Sequence, residues 1–455
     1  MSRNIGRGAL AALAAGAMAL TLGSTANAAD DPKINPDALT GVSVELAGSA
    51  NLYRIADADR ISTAIKASKS RSWGEAPTYG DHVNRWDCGS FTNAAAHGQL
   101  APTGLAAGET AEFPYITTVN GRPALVAITC TVVRTTSTNA GSVEIIISRD
   151  NNFSDALAAT TLADVTDAPI LLNPTGDLDP RVAAEITRLA NATRNSAGEV
   201  GNVRVHLLGG VDALSARVHD KIHALPGVSS VVRHQGIDRY ETAVRIASST
   251  LGHPGFLGAG DNPIRDINAY LTTGLDFADA LSAGAAAAEN NGVVLLTAGA
   301  DLDRRGFSED FLINLRDYVN EAGWTGTTTK NYAVGGPSAT AAATYDIRLA
   351  ASYVGVDRYE TAVKVAQGTF SNPAWFAVAS GETYPDALVA GGWIANADGP
   401  LLLTRTQNLS PVTGAYLTRT VTNGDSVVVF GGGNSVTPQV STQVGAALKA
   451  AFPVW

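Results

Sequence analysis

Apolar runs alternate with amphipathic stretches along most of the chain, and one segment shows the pattern most clearly. Four short runs rich in apolar and β-branched residues predict strands, at residues 228–233, 268–273, 293–297 and 331–334. Between and after them, apolar positions recur at helical spacing and predict helices at residues 238–250, 279–289, 308–322 and 339–349. Strands that alternate with helices imply a parallel sheet covered on both faces. The pattern therefore predicts an α/β fold.

Four motifs occur three times in the same order. An Asp-Arg pair, followed by Thr three residues after the arginine, contributes Arg60, Arg239 and Arg358. An aromatic-x-Asp-Ala-Leu motif contributes Asp155, Asp279 and Asp386. Each aspartate precedes by 16 residues the first member of a Leu-Leu pair: Leu171-Leu172, Leu295-Leu296 and Leu402-Leu403. A Gly-Gly pair ends each set, with Gly210, Gly336 and Gly432 as the second glycines. The constant 16-residue spacing implies a helix and a strand that form one rigid unit.

We therefore predict three Rossmann-like parallel-sheet modules in a pseudo-threefold arrangement, since similar faces on one chain tend to close a ring. Their predicted limits are residues 42–226, 227–348 and 349–455. The first module carries the longest insertion, at about residues 70–141. Within it, residues 122–136 are rich in Val, Ile and Thr and predict a strand, so we expect this insertion to be β-rich.

Residues 1–28 have the pattern of a signal peptide. A basic start precedes an apolar run, and Ala26-Asn27-Ala28 supplies the small residues that a signal peptidase requires. The apolar run is too short to span a bilayer comfortably, and no later segment replaces it. We expect an exported protein without a transmembrane segment.

The formal net charge of −10 disfavours nucleic acid as a partner, because neutralising phosphates requires a broad basic face. Binding of an anionic ligand must therefore depend on local arginines. Cys88 and Cys130 are the only cysteines, and both lie in the insertion. In an exported chain we expect them to form one disulfide. Two buried free thiols are the alternative.

Two interpretations of the repeated arginines remain open. In the structural one, the preceding aspartate caps a helix and the arginine pairs with a carboxylate of its own copy, Asp155, Asp279 or Asp386. In the functional one, the planar guanidinium binds phosphate or carboxylate groups of a polymer. A cation at a helix N-terminus opposes the helix dipole, so either interpretation requires an anion nearby.

The repeated aspartates and glycines also have two interpretations each. One lone carboxylate per copy, without a repeated His or Cys, favours helix N-capping by the aspartates over a role as catalytic acids. The Gly-Gly pairs fit a tight strand-to-helix turn that requires glycine, or an anion site at a helix N-terminus. They match no nucleotide-binding motif, and we predict no cofactor.

A metal site is also not expected. His219 and His223 lie one helical turn apart, yet the other copies lack this pair, an Asp replaces the glutamate of zinc proteases, and no third ligand is evident. We interpret them as part of a solvated helix face.

Together the four motifs resemble the cell-wall-binding type 2 repeats, which occur in threes on surface proteins of Gram-positive bacteria. The resemblance covers the chain from about residue 42, apart from the insertion. It implies three modules in a triangular array, attached non-covalently to anionic secondary polymers. It also implies that the three arginines and the six leucines lie near inter-module grooves that take the polymer. The first copy departs from the pattern, with Ile61-Ser62 where the others have Tyr-Glu.

We accordingly expect a secreted, non-catalytic protein of the cell wall or cell surface that binds a teichoic-acid-like or other secondary polymer. The alternatives are a surface-array or adhesin-type structural protein and a wall hydrolase resembling N-acetylmuramoyl-L-alanine amidases. The absence of a shared His, Glu and Cys constellation disfavours the hydrolase.

Overall fold

The structure is a computed structural model that describes residues 51–55, 82–87, 108–119, 122–136, 142–192, 202–253, 266–321, 328–422 and 425–451. The predicted signal peptide, Arg60 and Cys88 lie outside these ranges. Within them, no helix combines the length and the apolar character that crossing a membrane requires.

Four strands precede the first module: β1 (Asn51–Ile55), β2 (His82–Asp87), β3 (Thr110–Val119) and β4 (Arg122–Thr136). The last three form an antiparallel sheet in the order β2-β4-β3. The β-rich insertion is thus confirmed, and β4 has the limits that its composition predicts. In β4, Cys130 is fully buried, and Asp87 of β2 pairs with Thr131. Cys88 lies outside the described residues, so the Cys88–Cys130 disulfide stays a prediction.

The first module has a parallel sheet in the order β6-β5-β7-β8. Its elements are β5 (Ser142–Arg149), α1 (Ala159–Thr166), β6 (Ile170–Asn173), α2 (Pro180–Ala192), β7 (Asn202–Leu208), α3 (Ala216–His223) and β8 (Val228–His234).

The second module repeats this topology in the order β10-β9-β11-β12. Its elements are α4 (Arg239–Leu251), β9 (Asp266–Thr273), α5 (Ala278–Glu289), β10 (Gly292–Thr297), α6 (Phe307–Glu321), β11 (Thr328–Val334), α7 (Gly336–Thr344) and β12 (Leu349–Tyr353). The helix predicted at residues 339–349 was placed too late, because α7 starts at the Gly-Gly pair and residue 349 already begins a strand.

The third module has a parallel sheet in the order β14-β13-β15-β1. Its elements are α8 (Arg358–Thr369), β13 (Trp375–Ser380), α9 (Pro385–Ala395), β14 (Leu401–Thr404), α10 (Pro411–Thr420), β15 (Ser426–Phe430) and α11 (Pro438–Ala451). The fourth strand is β1, from the beginning of the described chain. Its pairing with β15 joins the two ends of the repeat array.

Sheets and sequence repeats are offset by one strand. The strand that precedes each Asp-Arg motif pairs with the sheet of the preceding module, so β8 extends the first sheet and β12 extends the second. We had assigned residues 228–233 to the second copy, and the pairing of β8 with β7 places them in the first sheet. This exchange ties every module to the next and makes the arrangement circular.

Three helices at the centre hold the modules together, namely α1, α5 and α9, and each contacts the other two. Their small residues allow close approach, since a Cβ at Gly284 would lie 2.8 Å from Thr160 and one at Gly391 would lie 3.0 Å from its hydroxyl. Buried side chains of all three modules form one continuous apolar core here. The predicted fold class, three parallel-sheet modules, is confirmed.

An aromatic triangle marks the pseudo-threefold axis. The rings of Phe153, Phe277 and Tyr384 precede the three Asp-Ala-Leu motifs, and their centroids are 5.6 to 6.0 Å apart. Because these residues follow the carboxyl ends of β5, β9 and β13, all three sheets present those ends on one side of the ring.

Candidate functional site

The two Asp-Arg motifs within the described residues begin helices on this side, and their aspartates are N-caps, as the structural interpretation requires. One carboxylate oxygen of Asp238 accepts hydrogen bonds from the backbone N–H groups of Tyr240 and Glu241, both at 3.0 Å. Asp357 accepts the equivalent bonds at 3.0 and 2.9 Å. Both helices therefore start at the same point of the repeat, and the arginine is the first residue of each.

The loop before each helix is fixed by side chains from its first turn. Glu241 accepts a hydrogen bond from the N–H of Ile237 at 2.8 Å, and the Thr242 hydroxyl accepts one from Gly236 at 3.1 Å. The third module repeats both bonds. The Glu and Thr of the motif thus have a structural role, since they fix the loop before the helix. Among the described residues, the arginine of the motif forms no hydrogen bond with that loop.

The arginines are held by backbone carbonyls. Arg239 donates from Nη1 to the carbonyl of Gly274, and Arg358 donates from Nη1 to that of Gly381. Arg358 also forms an ion pair with Asp276 at 2.9 Å. The structural interpretation pairs the arginine with a carboxylate of its own copy, and for Arg358 that pairing is wrong, because Asp276 belongs to the preceding module.

Each arginine therefore lies at a contact between two modules. We call the contact of the first and second modules, around Asp155 and Arg239, the first junction. The contact of the second and third modules, around Asp279 and Arg358, is the second junction. The Arg358 guanidinium lies 5.4 Å from the centre of the Phe277 ring, beside the axial triangle. The two junctions and this triangle make up what we call the arginine face.

The repeated aspartates are not N-caps, contrary to our prediction. The N-cap of α5 is Phe277 and that of α1 is Ala158, so Asp279 lies within the first turn and Asp155 lies before the helix. Their carboxylates instead lie against the Gly-Gly turn of the same module. A Cβ at Gly209 would lie 2.6 Å from a carboxylate oxygen of Asp155, and the same close approach recurs at the two other modules.

This contact explains why the first glycine of each pair is needed. Gly209, Gly335 and Gly431 have positive φ angles of 88°, 91° and 124°, a conformation that favours glycine. The second glycines do not have positive φ angles, and a Cβ at Gly210 would make an ordinary van der Waals contact with the side chain of Gln235, 3.7 Å away. The turn interpretation therefore holds for the first glycine of each pair. Anion binding at Gly210, Gly336 and Gly432 stays a prediction.

Burial and neighbouring charges act differently on the two junction carboxylates. Burial raises the pKa of Asp155, and the charges of Arg149 and Arg239 oppose that rise. Burial raises the pKa of Asp279 to about 6, and the neighbouring Asp276 adds to the rise. The two positions are equivalent in the repeat but differ in electrostatic surroundings.

The six leucines lie in β6, β10 and β14, an edge strand of each sheet, rather than on the arginine face. Leu171 is 4% exposed, and the four leucines of β10 and β14 are at most 1% exposed; only Leu172 is partly buried. Direct contact of a polymer with five of these leucines is inconsistent with their burial. These five leucines are part of the apolar core.

The paired histidines of α3 show no sign of a metal centre. His219 and His223 stack on the outside of the helix, and His219 bonds Asp220 at 3.0 Å. Across the described ranges, no group of three or more His, Cys, Asp or Glu side chains is arranged to hold a metal ion.

A profile of the family described as cell wall binding domain 2 matches residues 54–219, 233–345 and 353–441, which is most of the chain. The chain belongs to this family. Its three modules are thus cell-wall-binding domains, and the partner that the family implies is a polymer of the wall. The second and third matched segments begin at residues 233 and 353, at the ends of β8 and β12, so most of each of these strands precedes the matched repeat.

Individual relatives are distant. N-acetylmuramoyl-L-alanine amidase LytC of Bacillus subtilis (strain 168) is 26% identical over 305 residues, covering 67% of this chain and 52% of LytC. Cwp8 and Cwp6 from Clostridium difficile are similar structures, with TM-scores of 0.51 and 0.52 at 24% and 22% identity. They cover 68% and 67% of this chain and 47% and 44% of theirs. The chain thus spans about half the length of these relatives, and the two structures support the fold alone.

Sequence reasoning missed three charged residues of the junctions. Arg149 forms an ion pair with Asp155 at 2.9 Å, Arg233 donates to the carbonyls of Gly209 and Gly210, and Asp276 pairs with Arg358. Arg149 and Asp276 are not repeated in the other modules, so a search for repeated residues passed over them. Arg233 has a counterpart in Arg54, which also precedes its Asp-Arg pair by six residues to the arginine, but this position lies outside the four motifs. The sequence signal that all three share is position, at or beside the carboxyl end of a strand.

Proposed function

We propose that this protein attaches non-covalently to anionic secondary polymers of a Gram-positive envelope through its arginine face, without catalysing a reaction on them. The observation that carries the proposal is the placement of Arg239 and Arg358 at equivalent points around one axis. Each donates from Nη1 to a backbone carbonyl, and each is close to a carboxylate of the preceding module, Asp155 for Arg239 and Asp276 for Arg358. Planar guanidinium groups suit the oxygens of phosphate and carboxylate groups.

The test is co-sedimentation of residues 29–455 with purified cell walls, before and after removal of the secondary polymers. We expect binding to native walls and a marked loss on stripped walls. The double variant Arg239→Gln plus Arg358→Gln should bind native walls more weakly than the wild type. Arg245→Gln is the matched control, because Arg245 lies on the same helix as Arg239 but pairs with Glu241 at 2.9 Å.

Equal binding to native and stripped walls would move the ligand to peptidoglycan. A double variant that binds like the control would remove the arginines from the account. The same preparations provide a test of hydrolysis, which the name of the relative LytC makes worth including. We expect no release of soluble peptidoglycan fragments, and release that survives further purification would contradict the non-catalytic part of the proposal.

Export and the disulfide belong to this proposal. We expect the N-terminal sequence of the protein recovered from outside the cell to begin at Ala29, after cleavage of residues 1–28. Peptide mass analysis without reduction should find Cys88 linked to Cys130. A protein retained in the cytoplasm with two free thiols would contradict both parts.

A further inference from the structure

The first junction has a surplus of positive charge. Arg149 pairs with Asp155 at 2.9 Å, and Arg239 is close enough for its charge to lower the pKa of the same carboxyl group. Arg233 donates to the carbonyls of Gly209 and Gly210 at 2.9 and 3.1 Å, on the turn that covers Asp155. Two guanidinium groups thus act on one carboxylate, and a third is held on the turn that covers it. Among the described residues, Arg239 forms no ion pair.

The second junction has the opposite balance. Arg358 pairs with Asp276 at 2.9 Å, and Asp279 is near enough to both for their charges to act on its pKa. The positions that correspond to Arg149 and Arg233 hold Thr273 and Ser352, which are neutral. One guanidinium group therefore faces two carboxylates.

The difference can be assigned to one repeat position. Asp276 directly precedes the axial Phe277, and Asn152 directly precedes the axial Phe153. The Asn152 side chain accepts a hydrogen bond from the N–H of Ser154 at 2.9 Å, and that of Asp276 accepts one from Phe277 at 2.7 Å. Both side chains thus order the local turn through an oxygen, but only Asp276 brings a charge to the neighbouring arginine.

An anionic ligand meets different conditions at these two places. At the second junction it must displace Asp276 from Arg358 and then lie beside Asp279, so like charges oppose it. At the first junction the guanidinium groups outnumber the carboxylate, and Arg239 already has its Nη1 held in place. Opposite charge steers and orients a ligand, whereas juxtaposed like charge excludes it.

Of the two junctions that the structure describes, we propose that the first is an anion-binding site and that the second is blocked by its own Asp276. The ligand group is a phosphate or carboxylate of the wall polymer, so this inference rests on the proposed function. The first and second junctions are therefore not equivalent despite the repeated Asp-Arg motif. The number of polymer groups bound by one chain is lower than the number of repeats.

The decisive experiment exchanges the two residues. Asn152→Asp places the charge of Asp276 in the first junction, and Asp276→Asn removes it from the second. Both variants keep the side-chain oxygen that bonds the turn, so both should fold, which thermal unfolding checks. In calorimetric titration with polymer released from the walls, Asn152→Asp should weaken binding about fivefold, the effect of one partly exposed like charge. Asp276→Asn should bind at least as tightly as the wild type and with a higher stoichiometry.

A second readout separates this inference from the proposed function. Inorganic phosphate should slow modification of Arg239 by phenylglyoxal, measured by peptide mass, more than it slows modification of Arg358. Asp276→Asn should remove that difference. Wild-type protein that shows this protection but binds no walls would overturn the proposed function and leave the anion site standing. Wild-type protein that binds walls, with Asn152→Asp binding equally well, would overturn the inference alone. Equal protection of both arginines in the wild type would also overturn it.

Discussion

The two junctions differ inside the molecule as well as on the arginine face. At the first junction, His206 of β7 and His234 of β8 stack with ring centroids 5.1 Å apart. At the second, the corresponding residues are Tyr332 of β11 and Tyr353 of β12, stacked 6.3 Å apart. Each first member precedes the Gly-Gly pair by three residues, and each second member precedes the capping aspartate by four. One position of the fold thus holds two different kinds of contact.

The histidine pair belongs to a directional chain of hydrogen bonds. Glu144 accepts from His206 Nε2 at 2.5 Å, and His206 Nδ1 lies 2.8 Å from His234 Nε2. His234 Nδ1 lies 3.2 Å from the hydroxyl of Ser249 on α4. With both imidazoles neutral, each imidazole donates one hydrogen bond and accepts one, from the Ser249 hydroxyl as first donor to the Glu144 carboxylate as last acceptor. The chain joins the first sheet to the first helix of the second module.

The tyrosine pair stabilises its junction by packing. Tyr332 stacks against Tyr270 at 4.6 Å as well as against Tyr353. A glycine of α8, Gly368, takes the position of Ser249, and a Cβ there would collide with the Tyr353 ring. The strand exchange thus fixes the backbone geometry of a junction but does not determine which side chains form the contact. One junction depends on protonation states and the other does not.

The largest expected effect is the removal of the charged end of the histidine chain. Glu144→Ala leaves His206 and His253 without their shared carboxylate and should lower the free energy of unfolding by about 3 kcal/mol. The matched variant Asn268→Ala, at the equivalent position of the second module, removes a bond to a backbone carbonyl and should cost about 1 kcal/mol. Urea unfolding measures both. Equal losses would contradict the claim that the junctions are held by different forces.

The next effect comes from exchanging the helix residues. Gly368→Ser forces a side chain into the Tyr353 ring and should lower the free energy of unfolding by about 2 kcal/mol, as overpacking does. Ser249→Gly removes a hydroxyl without creating a collision and should cost less. Thermal unfolding compares the two, and a Gly368→Ser variant as stable as the wild type would show that α8 does not contact the ring closely.

The pH response should separate the junctions without any substitution. Burial lowers the pKa of His206 and of His234 below 6.5, so the unfolded chain binds more protons than the folded chain under mildly acidic conditions. The groups facing the pair are Glu144, Arg204 and His253. Stability at the first junction is thus fully present above about pH 6.5 and is lost as the pH falls, by at most about 1.4 kcal/mol per pH unit for each histidine.

Glu144 acts in the same direction at lower pH. Burial alone would raise its pKa, but hydrogen bonds from His206 and His253 hold the pKa well below 4.5, so its contribution is lost only on stronger acidification. Hydrogen exchange, corrected for the intrinsic effect of pH, should therefore rise in β8 between pH 7 and 5 and not in β12. The double variant His206→Tyr plus His234→Tyr should remove the response, and an equal rise in both strands would contradict the comparison.

The smallest effect is expected at Ser249, the last member of the hydrogen-bond chain. Ser249→Ala removes one neutral hydrogen bond to His234 and should cost about 1 kcal/mol. The pKa values of His206 and His234 should change little in this variant, since Glu144 remains. A loss as large as that of Glu144→Ala would mean that the hydroxyl, and not the carboxylate, holds the junction.

Features that come from local patterns or recur in the repeats could be predicted from the sequence. The caps Asp238 and Asp357, the modules and the limits of β4 follow from local patterns, and the structure confirms them. The offset of β8 could not be predicted, because the choice of a strand's partner depends on distant residues. Glu144 and His206 are not repeated at the equivalent positions of the other modules, and only the folded sheet shows that their side chains form a hydrogen bond.

The central claim is that the arginine face at the first junction holds the wall polymer. Hydrogen exchange of the protein, alone and saturated with polymer released from the walls, tests it most directly. We predict protection at Gly210 and residues 235–238, beside Arg239. Protection instead at residues 345–350, which line a groove of about 900 Å³ at the opposite end of the second sheet, would contradict it.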